Sequence, residues 1–174
     1  IQSAIEGVAD ASSYSGLFYE CRNLKEVYNT SSLVIEKGSN TFGGVAANAL
    51  VVHNSLDEPS IVSRSGDYVF YHDVETSEYF LFAYNGLSTT VVLPDDINGS
   101  SYRIAPYTFS NMKYLTSVKL SDGVISVGRE AFAYCSGIKE LDLGNSLETV
   151  GQWSFNYCSG ITRLTIPASL TSFG

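Results

Sequence analysis

Residues 131–151 have the sequence AFAYCSGIKELDLGNSLETVG, and their apolar pattern occurs three times between Tyr107 and Gly174. Phe109, Phe132 and Phe155 mark the step, because each lies 23 residues from the next. Other columns with this step are Met112, Cys135 and Cys158; Leu115, Ile138 and Ile161; Val118, Leu141 and Leu164; Leu120, Leu143 and Ile166; Val124, Leu147 and Leu170; Val127, Val150 and Phe173; and Gly128, Gly151 and Gly174. A fixed period of about 20–29 residues that carries L-x-x-L-x-L is typical of a repeat solenoid.

Each repeat is predicted to contribute one short strand and one turn to the solenoid. Leu141–Leu143 alternates apolar, polar, apolar, which favours a half-buried strand. Leu147 and Val150 point inward again, and a short helical turn is expected at Ala131–Cys135 on the opposite wall. A single unit leaves its strand unpaired on both sides, so neighbouring units must stack to be stable. The expected fold is therefore an α/β repeat solenoid that is mostly β.

A longer motif identifies the kind of repeat. Ala-Phe-x-x-Cys-x-x-Ile/Leu-x-x-Leu-x-Leu/Ile-Pro-x-x-Leu-x-x-Val/Phe-Gly is present at 131–151 and, with Ser154 in its first place, at 154–174. This pattern resembles the BspA-type, or treponemal-type, leucine-rich repeats of bacterial cell-surface proteins. Pro167 is the strand-ending proline of that pattern, whereas the other two repeats lack it. The resemblance implies a right-handed leucine-rich repeat coil in a secreted or surface-anchored adhesion or ligand-binding protein, and it implies no enzyme.

The whole chain, residues 1–174, is expected to be a single fragment of this solenoid. Residues 1–28 are predicted to form one degenerate repeat, because 17–27 align without gaps with 131–141. Residues 29–101, where the 23-residue step is lost, form an irregular inserted module similar to one found between such repeats. Residues 102–174 form three regular repeats. The chain is expected to begin and end inside a repeat, with an uncapped strand edge at the C-terminal end.

The inserted module contains a predicted β-hairpin over about residues 67–84. Its strands are Asp67–His72 and Glu78–Tyr84, and the turn at Asn85–Gly86 follows them. Thr89–Pro94 then resumes the repeat strand. We expect the hairpin to project from the solenoid, whose ladder of strands continues through the module.

Charge and hydropathy exclude two classes of partner. The net charge of −8 argues against nucleic acids and against anionic membrane surfaces, which require clusters of Lys and Arg. No apolar run approaches the roughly 20 residues of a membrane-spanning helix, so this segment is not expected to insert into a membrane. It also has no signal-peptide pattern, so an exported parent protein would carry its signal elsewhere.

The three cysteines are expected to be buried free thiols. Cys135 and Cys158 lie in one column, Cys21 fits the same position of the degenerate repeat, and Met112 fills it in the first regular repeat. A position that accepts Met as well as Cys is an apolar slot. A Cys135–Cys158 disulfide is the alternative, and it requires Cα atoms about 4.4–6.8 Å apart.

Motifs for catalysis and metal binding are missing from the sequence. The two histidines, His53 and His72, are expected at exposed strand ends, and no G-x-S-x-G, C-x-x-C or H-E-x-x-H is present. Asp95, Asp96 and Asn98 carry oxygen ligands, but their spacing suits a turn rather than a calcium loop. The sequence therefore predicts no catalytic residue, no metal ligand and no cofactor.

Two surfaces are candidates for binding. The hairpin carries many aromatic residues, among them Tyr68, Tyr71, Tyr79 and Tyr84, which either form an exposed patch or stabilise the hairpin through cross-strand pairs. The strands of the regular repeats should present rows of outward polar residues, among them Lys119, Glu140, Asp142 and Arg163. A plain solvated face is the alternative for these rows. Tyr134 and Tyr157 repeat in register on the outer wall.

We therefore expect an extracellular, non-catalytic module of a bacterial cell surface. Its expected partner is a protein or glycan of a host or neighbouring cell. One alternative is a passive spacer that carries another domain away from the cell. The other is a carbohydrate-binding module centred on the aromatic hairpin.

Overall fold

The computed structural model describes Phe18 and residues 21–174. The chain divides into two compact units, Ile1–Val62 and Ser63–Gly174. Most of the degenerate repeat predicted at residues 1–28 lies outside the described residues. The single solenoid over residues 1–174 stays a prediction.

In the first unit, strand β1 (Glu26–Tyr28) pairs in parallel with strand β2 (Val51–His53). A single turn of helix, α1 (Thr41–Gly44), lies on the connection between them. Parallel strands need a long crossover of this kind, because a tight turn can join only antiparallel neighbours. The register places Tyr28 opposite His53.

The second unit is built from short strands that form two sheets in the described part of the chain. The strands are β3 (Val62–Ser65), β4 (Tyr68–Asp73), β5 (Glu78–Tyr84), β6 (Thr90–Val92), β7 (Tyr102–Ile104), β8 (Ser117–Lys119), β9 (Val124–Val127), β10 (Glu140–Asp142), β11 (Thr149–Val150) and β12 (Ser172–Phe173). One sheet has the parallel order β6-β8-β10. The other has the order β3-β4-β5-β7-β9-β11-β12 and is parallel from β5 onward.

The two sheets are opposite walls of a mostly β solenoid, and the first two regular repeats each contribute a strand to both. Val118 lies opposite Val91 on one side and Leu141 on the other, so the apolar positions form a row across the smaller sheet. Neighbouring residues in this row belong to successive rungs of the solenoid. The predicted mostly β solenoid is confirmed, and α1 is the one helix in the described residues.

After each strand of the larger sheet, a series of turns leads the chain toward the opposite wall. They form a surface that we call the turn wall, made of residues 106–114, 129–137 and 152–160. In its middle segment Ala133 N–H donates to Glu130 C=O, and Cys135 N–H to Phe132 C=O, which closes two successive turns. Neighbouring N–H groups instead point at the next rung.

The prediction of a helical turn at Ala131–Cys135 is wrong. Glu130 and Tyr134 have φ of 53° and 62°, a left-handed conformation that interrupts a right-handed helix. Phe132 N–H donates to Ser154 C=O of the next rung at 2.8 Å, whereas a helix would keep that donor within the segment. The turn wall therefore pairs its backbone between rungs, as a sheet does.

The predicted phenylalanine column forms the centre of the core. The ring centroids of Phe109 and Phe132 are 4.7 Å apart with planes 3° from parallel, and those of Phe132 and Phe155 are 5.3 Å apart with planes 9° from parallel. Phe109 and Phe132 are fully buried. The inward columns above and below them contain other fully buried residues, including Leu115, Leu120, Ile138 and Leu147.

The hairpin is part of the larger sheet. β4 and β5 pair antiparallel with an irregularity between Val69 and Phe70, which confirms the hairpin itself. The expectation that it projects from the solenoid is wrong, because β5 also pairs in parallel with β7, with Leu81 opposite Ile104. Side chains on both of its faces are buried, so projection would expose apolar surface.

The third regular repeat departs from the prediction in its first strand. Residues 161–167 are not a strand, and Leu164 and Ile166 are exposed, although their columns were predicted to face inward. Each rung is covered by the next one, and the described residues contain no rung packed over these two side chains. Leu143, in the column of Ile166, is covered and buried.

All three cysteines are free thiols, as predicted. Cys135 and Cys158 are buried, and each S–H donates to a carbonyl of the preceding rung, at 3.0 Å to Phe109 and 3.1 Å to Phe132. Burial raises the pKa of Cys135 to about 12 and raises that of Cys158 as well. Cys21 was expected in an equivalent slot and is instead exposed.

Truncation of the phenylalanine column should destabilise the protein strongly. Phe132→Ala is expected to lower the free energy of unfolding by about 3–5 kcal/mol, because it leaves a cavity between two stacked rings. Lys119→Ala, at an exposed position, should cost less than about 0.5 kcal/mol. Urea denaturation followed by circular dichroism measures both, and similar losses would contradict the inward assignment of Phe132.

Thiol labelling tests the cysteine environments. In the native protein a thiol-specific reagent should modify Cys21 rapidly, while Cys135 and Cys158 react only after unfolding, because they are buried and protonated. The unfolded, unreduced protein should then give three thiols. Cys21→Ser should abolish the rapid phase. Rapid labelling of a second cysteine would show that the rungs do not cover the column.

Candidate functional site

A groove of about 410 Å³ lies over strands β8 and β10 and the segment of the third repeat beside them. Its lining consists of Ser117, Val118, Lys119, Lys139, Glu140, Leu141, Asp142, Arg163 and Thr165. The alternation of a strand explains this composition, since Val118 points into the core while Ser117 and Lys119 point out. The same alternation repeats one rung further on.

Four of the residues predicted for binding lie together around this groove: Lys119, Glu140, Asp142 and Arg163. The parallel register sets Lys119 opposite Asp142, and Ser117 opposite Glu140. The register thus places a cation beside a carboxylate at Lys119 and Asp142. This juxtaposition follows from the 23-residue step, which the sequence already contained.

Lys139 was missed by the sequence prediction. It precedes the strand by one residue, and its backbone N–H donates to Thr116 C=O at 2.9 Å, so the chain has already joined the ladder at this position. Its side chain is exposed and lines the groove. The repeat pattern could have revealed it, because the equivalent positions in the neighbouring repeats are the polar residues Thr116 and Thr162.

The charges around the groove are not paired with one another. Among the ion pairs of the described residues, none within 4.0 Å involves Lys119, Lys139, Glu140, Asp142 or Arg163. Asp142 only accepts the backbone N–H of Gly144, at 3.0 Å. Three cations and two carboxylates are thus available to an external partner.

The four hairpin tyrosines lie in different surroundings. Tyr71 and Tyr84 are buried, and Tyr71 stacks on Phe80 with ring centroids 4.8 Å apart. Tyr68 and Tyr79 are half-buried. The Tyr68 hydroxyl donates to Val92 C=O at 2.8 Å. Burial raises the pKa values of Tyr68 and Tyr71 to about 12, so both phenols stay protonated at neutral pH.

His53 is buried, with 3% of its surface exposed, which corrects the expectation of an exposed strand end. The parallel pairing of β1 and β2 stacks it on Tyr28, with ring centroids 4.4 Å apart. Its Nε2 lies 3.3 Å from Oε2 of Glu26, and its Nδ1 lies 3.3 Å from Oε2 of Glu58. The Ser60 hydroxyl donates to Glu26 rather than to His53, so these groups do not form a nucleophile–base pair.

The second histidine also has a packing partner. His72 is half-buried and stacks on Tyr79 across the hairpin, with ring centroids 4.5 Å apart. The expectation of an exposed strand end is therefore wrong here too. Cross-strand stacking of this kind stabilises a two-stranded segment.

Within Phe18 and residues 21–174, no group of three or more His, Cys, Asp and Glu side chains is arranged to hold a metal ion. Asp96 accepts the Gly99 N–H at 2.8 Å, and Asn98 has φ of 53°, so this acidic segment forms a turn. The described residues also contain no helix of the length and apolarity needed to cross a membrane.

Comparison with protein families places residues 75–174 in a known repeat. These residues match the model of the BspA-type leucine-rich repeat region, with six copies of the repeat. The matched stretch includes β5 to β12, the groove and the turn wall. Among curated proteins, none matches the chain.

Solved structures with the same fold come from several bacteria. A leucine-rich repeat protein from Bacteroides capillosus ATCC 29799 is 28% identical with a TM-score of 0.59, over 66% of this chain and 88% of that one. A leucine-rich repeat protein of T. pallidum is 23% identical, a likeness of fold alone, with a TM-score of 0.59 over 64% of this chain and 53% of that one. A leucine-rich cell surface protein from Faecalibacterium prausnitzii A2-165 is 25% identical with a TM-score of 0.51, over 62% of this chain and 31% of that one. The alignments thus span about half of the T. pallidum protein and less than a third of the F. prausnitzii protein.

Because Tyr71 is buried in the hairpin, the free energy of unfolding should fall at alkaline pH. The pKa of Tyr71 is about 12 in the folded protein and about 10 in an unfolded chain, so the unfolded state loses its proton first. The stabilisation is complete below about pH 10 and is lost as the pH rises toward about 12. Tyr71→Phe should therefore reduce the fall in stability over this interval in urea denaturation. An unchanged fall would mean that the hydroxyl is solvated.

Proposed function

The chain belongs to the BspA-type leucine-rich repeat family, and on that basis we propose that it is a non-catalytic binding module of a bacterial cell-surface protein. Its partner is a protein of the host or of a neighbouring cell, which binds in the groove over β8 and β10. The surface location is supported by the cell surface protein of F. prausnitzii, which shares this fold. Extended repeat surfaces usually bind macromolecules.

The observation that carries the proposal is the set of unpaired charges around the groove. Two carboxylates, on Glu140 and Asp142, lie among three cations, and none of the five pairs with another within 4.0 Å. Complementary charges on a partner steer its approach and fix its register. A partner that satisfies both signs must itself carry both, which favours a protein over a neutral glycan or a polyanion.

The non-catalytic part of the proposal is supported by the roles of the histidines. His53 is enclosed by two carboxylates and a tyrosine ring, and His72 stacks on a tyrosine. Both side chains are engaged in packing within the fold.

The alternative of a passive spacer needs no ligand, and the regular stacking of the rungs suits it.

The carbohydrate module centred on the hairpin receives less support. Sugars stack on exposed aromatic faces, whereas Tyr71 and Tyr84 are buried and Tyr68 is hydrogen-bonded to the backbone. The hairpin tyrosines are therefore assigned to the stability of the sheet.

An exchange of charges tests the groove. Lys119→Asp combined with Asp142→Lys keeps the net charge and the composition but inverts the pattern in one row of the groove. Binding to immobilised extracellular-matrix proteins should weaken at least about tenfold at low salt, or about 1.4 kcal/mol, because the partner's charges then meet like charges. Biolayer interferometry gives the affinities and the association rates.

The matched control exchanges charges elsewhere. Arg64→Glu combined with Glu148→Arg also preserves the net charge, and neither residue lines the groove or lies in the turn wall. This variant should bind as the unchanged protein does. If both exchange variants bind equally well, the groove is not the binding site. If the unchanged protein binds none of the immobilised matrix proteins, the spacer is favoured.

A further inference from the structure

Among the exposed aromatic side chains of the turn wall, three lie together on its last two rungs. Tyr134, Trp153 and Tyr157 are 42%, 51% and 63% exposed. The rings of Tyr134 and Tyr157 stack across adjacent rungs, with centroids 4.8 Å apart and planes 9° from parallel. Trp153 lies on the same rung as Tyr157, and the Arg129 guanidinium sits 4.7 Å from its ring centroid. This surface is on the part of the solenoid that neither the groove nor the hairpin uses.

The backbone conformation at these positions does not favour aromatic residues. Tyr134 and Tyr157 belong to a column with left-handed backbone, with φ of 62° and 57°, and Trp153 has φ of 59° in a second such column. Asn and Gly adopt this conformation with least strain, and bulky side chains rarely occupy it. Asn111 holds the same position in the preceding rung, with φ of 66°. Neither burial nor backbone conformation favours an aromatic residue here, so the exposed rings point to a role in binding.

The chemistry of the turn wall differs from that of the groove. Arg129 and Glu130 pair with each other at 3.1 Å, and Lys113 is the remaining charged residue in the three segments. The other exposed polar groups include the amides of Asn111, Gln152 and Asn156. Amides donate and accept hydrogen bonds without a net charge. The surface thus combines aromatic rings with neutral hydrogen-bonding groups.

We propose that the turn wall is a second binding site and that its ligand is a neutral glycan. A sugar ring has an apolar C–H face and a rim of hydroxyls, which suits rings with polar tips beside amides. In this site the faces of Trp153 and Tyr157 that Arg129 and Tyr134 leave uncovered form the stacking surface. Tyr134, on the preceding rung, holds the Tyr157 ring in place, and the amides bind hydroxyls. A protein partner would also use Tyr and Trp, but the low charge of the wall favours the sugar.

Trp153 is the only tryptophan of the chain, so its fluorescence reports directly on this surface. The protein is titrated with a panel of neutral hexasaccharides: cellohexaose, laminarihexaose, maltohexaose, mannohexaose and N-acetylchitohexaose. At least one should give a saturable change in emission and protect Trp153 from acrylamide quenching. Absence of any saturable change up to millimolar concentrations would overturn the proposal.

Two variants locate the binding. Tyr134→Asn combined with Tyr157→Asn adopts the residue that the preceding rung already has, so the fold should be kept, and circular dichroism checks this. Its affinity for the bound hexasaccharide should fall at least about tenfold, whereas the groove exchange of Lys119 and Asp142 should leave it unchanged. Undiminished binding by the asparagine variant would overturn the site. The proposal would also be overturned if the asparagine variant lost binding to a matrix protein rather than to a sugar.

Discussion

The close approach of successive rungs is the constraint on which the rest of the structure depends. Gly128 N–H donates to Ile104 C=O at 2.8 Å, and one rung later Gly151 N–H donates to Val127 C=O at 2.7 Å. A Cβ at Gly128 would lie 2.7 Å from the Ile104 oxygen, and one at Gly151 would come equally close to a backbone nitrogen. Only glycine allows this contact, so the glycine column permits the distance between rungs that these hydrogen bonds set. The phenylalanine rings stack because that distance suits them.

The same constraint decides how side chains are displayed outside the core. Residues 23 positions apart lie directly over one another, so a choice made at one position of the repeat becomes a row on the surface. In the strand, this places Lys119 beside Asp142 and produces the charged groove. In the turn, it places Tyr134 beside Tyr157 and produces an aromatic row. The two surfaces belong to different walls of one solenoid, and they offer different chemistry.

Backbone hydrogen bonding explains why the helical turn was predicted incorrectly although the strands of the first two regular repeats were predicted correctly. Apolar spacing reveals which residues face inward, and it placed Phe132, Val118 and Leu147 in the core. It does not reveal where an N–H group points. In the turn wall, alternate donors go to the next rung, which requires left-handed residues such as Glu130 and Tyr134 and prevents a helix. That choice depends on a neighbour 22 residues away.

The sequence alone determined the period, the inward columns of the first two regular repeats, the hairpin and the residues that meet in the groove. They follow because a stacked repeat can bury its apolar positions in only one register. The tertiary structure decided the surroundings of single residues: His53 is buried between two glutamates, Tyr71 lies within the sheet, and Cys21 is exposed. Those outcomes depend on which distant segment packs over each side chain, and outside the regular repeats no periodicity encodes that packing.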